Sequence, residues 1–94
     1  MSRIARIFEA KGWTQQDYDT LIDKMGLGGH SAPGVIFHVA GPTPDGFRAV
    51  DVYDSVEAAD RLATELIVPL CMDLGLAPPE VTQFDVHSVL TPQP

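Results

Sequence analysis

The chain has few cysteines and few basic residues, and it has no long apolar run. Its single cysteine, Cys71, can form no internal disulfide, so nothing indicates an oxidising compartment. The N-terminal residues lack the apolar core of a signal peptide, and no apolar run approaches the roughly 20 residues that a membrane-spanning helix needs. A cytoplasmic protein is therefore expected.

The scarcity of positive charge limits the choice of partners. Six Lys and Arg residues stand against 13 Asp and Glu residues, which gives a formal net charge of -7. The basic residues are scattered, whereas binding to nucleic acid needs a basic face. An anionic membrane surface would repel the chain for the same reason. Neither nucleic acid nor a membrane is expected as a partner.

The length and the apolar content indicate one small domain that pairs with a second copy. A chain of 94 residues corresponds to a single domain over residues 1–94, and a domain of this size has a thin core. Apolar residues make up 45% of the chain, which is much to bury in so few residues. A second subunit could cover part of this surface, so a homodimer is expected.

Alternating turn signals and apolar patterns predict six elements. Residues 3–9 form a first strand, and Thr14 begins a helix with Asp17 in a capping box and with Trp13 and Tyr18 at the spacing of a hydrophobic staple. Residues 34–40 and 47–53 form a hairpin around the turn at 41–46. Ser55 begins a second helix that Pro69 should kink or break. Residues 81–90 form the last strand, and residues 91–94 form a loose tail.

The order β-α-β-β-α-β predicts a ferredoxin-like α+β fold. Two right-handed crossovers place both helices on one face of a four-stranded antiparallel sheet. Because side chains alternate between the faces of a strand, we expect the Val-rich sets of residues to pack beneath the helices. The opposite, open face should then carry several polar residues together with a few apolar ones. These residues are Ile36, His38, Phe47, Ala49, Asp51, Tyr53, Gln83, Asp85, His87 and Val89.

Three segments resemble the dimeric α/β-barrel superfamily, which includes the antibiotic-biosynthesis-monooxygenase-like domains. They are Gly12 to Asp19, Val35 to Pro42 and Val50 to Ala59, and the ending from Pro78 to Val89 is similar to small members of the same superfamily. The resemblance implies two sheets that face each other in a barrel-like dimer. It also implies mixed activities: cofactor-free oxygenation of aromatic polyketides, haem degradation, isomerisation and cyclisation. Because fold does not settle function, the resemblance leaves open whether the chain is an enzyme.

His38 and His87 are the candidate catalytic residues, because histidine titrates near neutral pH and can act as an acid or a base. Asp51 and Tyr53 could orient a histidine or bind the polar edge of a substrate, and Ile36 and Phe47 would contact its apolar part. Each polar residue also has a structural interpretation, a hydrogen bond across a dimer interface. No metal or cofactor is predicted, since no short-spacing ligand motif, phosphate loop or dinucleotide fingerprint occurs.

Two function hypotheses follow. The first is a dimeric barrel that binds a small hydrophobic or aromatic molecule, and that as an enzyme would be a cofactor-independent monooxygenase, isomerase or cyclase. The alternative is a non-catalytic binding or assembly module whose polar sheet face specifies dimerisation. Haem binding is a third hypothesis, which haem uptake would test.

Overall fold

A computed structural model of the chain describes residues 2–93. Met1 and Pro94, the ends of the predicted domain and of the predicted tail, lie outside the described residues. Four strands and three helices follow the predicted order. They are β1 (Ile4–Lys11), α1 (Gln15–Met25), β2 (Val35–Thr43), β3 (Gly46–Tyr53), α2 (Val56–Leu62), α3 (Val68–Leu74) and β4 (Glu80–Asp85). Within this part of the chain, no helix is long and apolar enough to cross a membrane.

The strands form one antiparallel sheet in the order β2-β3-β1-β4. This is the sheet order of the ferredoxin-like fold, so the predicted fold class is confirmed. Strand β4 is shorter than predicted: its last pair is Asp85 with Ile4, and only Val86 extends it, by a backbone hydrogen bond to Arg3. Residues 87–90 continue the apolar alternation of a strand, but β1 offers them no further pairing partner.

The helix caps form as the sequence predicts. The Thr14 hydroxyl accepts a hydrogen bond from the Asp17 amide, and the Asp17 carboxylate accepts one from the Thr14 amide, which completes the capping box. The Ser55 hydroxyl accepts from the Ala58 amide at the start of α2. Gly26 ends α1 in the left-handed conformation that favours glycine.

Pro69, which is predicted to kink or break the second helix, instead follows a wider helical turn. Helices α2 and α3 run on from each other through a π-helical segment, Ala63–Ile67, and Pro69 lies in the first turn of α3. The Val68 amide bonds to the Ala63 carbonyl, five residues back, in place of the usual four. Proline has no N–H to offer the Glu65 carbonyl, and the wider turn carries the helix past this missing bond.

The residues predicted for the open face of the sheet lie mainly on the face that the helices cover, and most of those predicted to lie beneath the helices are on the open face. Tyr53 lies in a core cluster with Ala59 and Leu62 of α2, and Phe47 lies in a second cluster with Leu21 of α1 and Cys71 of α3. Directly paired residues share a face, so the pairing of Asp51 with His38 places both beneath the helices. Most of the Val-rich sets lie on the open face, which contains Ile7, Phe37, Val39, Val50, Val52 and Phe84. Val35 precedes a register shift in β2 and lies in the core with Tyr53, beneath the helices as predicted.

The incorrect assignment of the two sheet faces has a physical reason. Period-two alternation shows which residues share a face, but it does not show which face the helices cover when both sets contain large apolar residues. The prediction assumed that polar side chains avoid the helix side. Here the polar groups satisfy one another, so burial leaves none of them unpaired. Within residues 2–93, no buried side-chain nitrogen or oxygen lacks a hydrogen-bond partner.

Candidate functional site

A chain of four side chains links the sheet to helix α1. Asp51 lies on β3 and is only 5% exposed. One of its carboxylate oxygens, Oδ2, accepts a hydrogen bond of 2.7 Å from the Tyr53 hydroxyl, and the other, Oδ1, bonds to Nδ1 of His38 on β2. Nε2 of His38 in turn lies 2.5 Å from the hydroxyl of Tyr18 on α1. The order of contacts is therefore Tyr53, Asp51, His38, Tyr18.

The hydrogen-bond chemistry fixes the tautomer of His38. An ionised carboxylate can only accept, so Nδ1 of His38 carries the proton that is shared with Asp51. In the neutral ring Nε2 is then unprotonated, and it accepts the hydrogen bond that the Tyr18 hydroxyl donates. The arrangement presents a basic nitrogen, oriented by a buried carboxylate, at a partly exposed position: the His38 side chain is 29% exposed.

Both tyrosine hydroxyls are held in the neutral form. Burial raises the pKa of Tyr18, and the negative charges of Asp51 and Asp19 raise it further. Burial also raises the pKa of Tyr53, and the hydrogen bond that it donates to Asp51 adds to this effect. Each tyrosine therefore acts at neutral pH as a hydrogen-bond donor.

Aromatic contacts fix the position of Tyr18. Its ring stacks on Phe47 with centroids 4.9 Å apart, and it lies nearly parallel to the His38 ring at 6.0 Å. Trp13, just before α1, is buried in the same core cluster, and its indole N–H donates to the Ala77 carbonyl over 2.9 Å. The staple position that the sequence assigned to Tyr18 thus places its hydroxyl against His38.

A cavity of about 980 Å³ opens beside this chain of side chains, between the sheet, helix α1 and the loop that follows α1. This volume is near the upper end of the range for small-molecule pockets. Tyr18, His38 and Asp51 contribute polar groups to its wall. Most of the remaining wall is apolar and includes Phe8, Trp13, Leu21, Ile36, Phe47 and Leu62.

Five of the six predicted site residues gather in this region. His38, Asp51, Ile36 and Phe47 line the cavity, and Tyr53 lies behind Asp51. They do so on the helix side of the sheet, whereas the sequence placed them on the open face. His87 follows the end of β4, is exposed, and is not part of the cavity wall.

Tyr18 is the residue that sequence reasoning missed. The sequence accounts for it only as the partner of Trp13 in a hydrophobic staple. The missed signal is its hydroxyl, because a tyrosine on a core-facing stripe usually finds a hydrogen-bond partner when it is buried. No group of three or more His, Cys, Asp or Glu side chains within residues 2–93 could hold a metal ion.

The sheet order and the helices on one face define a ferredoxin-like α+β fold, and solved structures that include antibiotic-biosynthesis-monooxygenase-like proteins share this fold. A protein of unknown function from Nitrosomonas europaea superposes with a TM-score of 0.72 at 17% identity, over 100% of this chain and 98% of that one. A predicted antibiotic biosynthesis monooxygenase from Chloroflexus aurantiacus gives a TM-score of 0.66 at 22% identity, over 96% and 98% of the two chains. SnoaB, a cofactor-independent oxygenase from Streptomyces nogalater whose structure is that of the N63A variant, gives 0.60 at 18% identity, over 94% of each chain. No protein-family model and no curated protein matches the sequence.

Proposed function

We propose that this protein binds a small hydrophobic, aromatic molecule in the cavity between the sheet and α1, and that it acts on this molecule without a cofactor. The observation that carries the proposal is the position of His38. Its imidazole is oriented by buried Asp51 and lies in the wall of a mainly apolar cavity. A base in such surroundings is suited to remove a proton from a bound phenol or enol.

The roles of the individual residues follow from their contacts. His38 is the acid or base, Asp51 orients it, and Tyr53 supports Asp51 from the buried side. Ile36 and Phe47 contact the apolar part of the substrate. The likeness to SnoaB, a cofactor-independent oxygenase, supports an activity of this class. His87 is given no role because it lies away from the cavity.

A thermal-shift screen tests this proposal. The ligands are phenols, hydroxylated polycyclic aromatics and haem, and the proteins are wild type, His38→Gln and His87→Gln. A ligand that binds only the folded state at 100 times its Kd stabilises it by about 2.7 kcal/mol. We expect a phenolic ligand to raise the Tm of wild type and His87→Gln, and to raise that of His38→Gln much less. An equal shift in all three proteins would contradict the role of His38, and a shift with haem alone would favour haem binding.

We also propose that the open face of the sheet pairs with a second copy of the chain. Three large apolar side chains on this face are about half exposed: Phe37 at 57%, Val39 at 49% and Phe84 at 53%. Exposed apolar patches of this kind mark interaction surfaces. Arg48 and Glu9, on the same face, already form an ion pair with each other at 2.5 Å. Lys11 and Glu80, also on this face, lie 3.9 Å apart, so these four charged side chains would meet an identical face already paired.

The dimer is tested by sedimentation or native mass spectrometry of Val39→Glu. We expect this variant to be monomeric, because a carboxylate would have to be buried between the two sheets. Met72→Glu is the matched control, since Met72 is 76% exposed on α3, away from the sheet. Dimers of equal strength in both variants would contradict the proposal.

The alternative is a non-catalytic binding or assembly module whose polar sheet face specifies dimerisation. We favour it less, because His38 and Asp51 lie on the helix side of the sheet and not on its open face. Binding without turnover remains a separate outcome, which product analysis with a ligand from the screen distinguishes.

A further inference from the structure

We propose that Tyr18 is the group that meets the ligand, and that the site selects a neutral, hydroxyl-bearing aromatic molecule and ionises it in place by passing one proton through Tyr18 to His38. This inference rests on the proposed function, and it adds a catalytic residue and a substrate charge to it.

The geometry gives the path of the proton. Tyr18 lines the cavity, and its hydroxyl already donates to Nε2 of His38 over 2.5 Å. Because this hydrogen bond occupies the basic lone pair of His38, a ligand hydroxyl in the cavity reaches that nitrogen through the Tyr18 oxygen. Stacking on Phe47 holds the Tyr18 ring in place for this transfer.

The transfer is balanced in atoms and charge. The O–H bond of the ligand breaks as its proton moves to the Tyr18 oxygen, and the Tyr18 proton moves to Nε2 of His38. The products are a ligand phenolate, a neutral Tyr18 and an imidazolium on His38. The new positive charge lies against the Asp51 carboxylate, which stabilises it. The net charge of the site is unchanged, so the step needs no oxidant or other co-reactant.

The charges around the cavity select against a ligand that is already anionic. Three carboxylates line it, those of Asp19, Asp23 and Asp51. Arg48 is the one Lys or Arg among the described lining residues, and its guanidinium lies on the open face of the sheet, where Glu9 engages it. The negative charges also act on Tyr18, since those of Asp51 and Asp19 help to raise its pKa. A ligand carboxylate would add a negative charge here and, unlike a phenol, it brings no proton with which to convert His38 into a compensating imidazolium.

Absorption spectra of bound para-nitrophenol test the proton transfer, because the phenol and the phenolate absorb at different wavelengths. The protein is titrated at about one pH unit below the pKa of free nitrophenol, where the neutral form dominates. We expect wild type and His87→Gln to bind it and to raise the phenolate fraction. Tyr18→Phe and His38→Gln should bind it more weakly, and the bound molecule should keep the spectrum of the neutral phenol. Para-nitrobenzoate, of similar size but already charged, should bind at least about tenfold more weakly to wild type.

Each contrary outcome would contradict one part of the proposal. Full phenolate formation in Tyr18→Phe would overturn the role of Tyr18 as the intermediate group. A bound phenol that stays neutral in wild type would overturn the proton transfer. Equal binding of nitrobenzoate would overturn the charge selection. Absence of binding of any aromatic ligand would instead count against the proposed function itself, so the two failures are distinguishable.

Discussion

The Tyr53 hydroxyl donates a hydrogen bond of 2.7 Å to Asp51, two residues earlier on the same strand. Residues two apart on a strand point to the same face, so the pair shares one buried environment beneath α2. Tyr53 has no exposed surface, and Asp51 has almost none. The bond satisfies one oxygen of a buried carboxylate and leaves the other for His38. Orientation of His38 therefore depends on a residue that does not line the cavity.

Replacement of Tyr53 by Phe tests the contribution of the Tyr53–Asp51 hydrogen bond to stability. The substitution keeps the ring and removes the hydroxyl, so Oδ2 of Asp51 loses its donor. A buried acceptor without a partner costs about 1–3 kcal/mol, and we expect the free energy of unfolding to fall by this amount. Urea denaturation at neutral pH measures it.

Tyr18→Phe is the matched control for stability. It removes the other tyrosine hydroxyl, but the partner left behind is Nε2 of His38 on a side chain that water can reach. The expected loss is about 1 kcal/mol or less. A loss from Tyr18→Phe as large as that from Tyr53→Phe would contradict the structural role of Tyr53.

The alkaline titration of tyrosine gives a second prediction. Tyr18 and Tyr53 are the two tyrosines of the chain, and burial is the main cause that raises the pKa of each. In guanidinium both should ionise near the ordinary value of about 10, whereas in the folded protein tyrosinate absorbance should appear only at higher pH. Tyrosinate formation in the folded protein at the pH found in guanidinium would contradict the burial of both hydroxyls.

The same shifts fix the sign of the pH dependence of stability. The folded state holds the two protons more tightly than the unfolded state does. Their contribution to the free energy of unfolding is therefore complete below about pH 10 and is lost as pH rises through the higher pKa values of the folded state. Denaturation midpoints measured from neutral pH upward should fall above about pH 10, and they should fall less in Tyr53→Phe.

The sequence is sufficient to predict those features that depend on interactions between residues close together in the chain. The capping box at Thr14 and Asp17 and the cap at Ser55 involve residues three apart, so their positions could be read directly. The length of β4 could not be predicted in this way, because it depends on the residue at which β1 begins, Ile4, which pairs with Asp85. The alternation from Val86 to Leu90 is the same with or without a partner strand.

Three members of the hydrogen-bonded chain can be singled out from the sequence, but their placement cannot. His38 is a candidate because histidine titrates near neutral pH, and Asp51 and Tyr53 are candidates for orienting it. Their location beneath the helices depends on mutual hydrogen bonds between strands and with Tyr18, which alternation within one strand does not encode. The cavity depends on the separation of α1 and its following loop from the sheet, a property of tertiary packing alone.

Gly46, at the start of β3, gives a prediction with an internal control. A Cβ at this position would lie 2.2 Å from the Ala10 carbonyl oxygen and 2.9 Å from the Gly12 amide nitrogen. Both obstacles are backbone atoms, so Gly46→Ala must displace the pairing of β3 with the end of β1. We expect a loss of about 2–4 kcal/mol in the free energy of unfolding, which urea denaturation would measure.

Gly41 supplies the control in the neighbouring strand. A Cβ there meets no atom within 4 Å, so Gly41→Ala should change stability by no more than about 0.5 kcal/mol in either direction. Similar losses from the two substitutions would show that strand propensity, and not the close approach at Gly46, determines the effect.

Cys71 should react slowly with thiol reagents in the folded protein. Its side chain is 2% exposed in the cluster that contains Trp13 and Phe47, and burial raises the pKa of its thiol. Both effects lower the concentration of an accessible thiolate, which is the reactive form. We expect modification by a chromogenic disulfide to proceed only through unfolding, so that its rate rises with added urea in step with the unfolded fraction. Reaction in native buffer as fast as in concentrated urea would show that Cys71 is accessible, and would contradict the packing of α3 against α1.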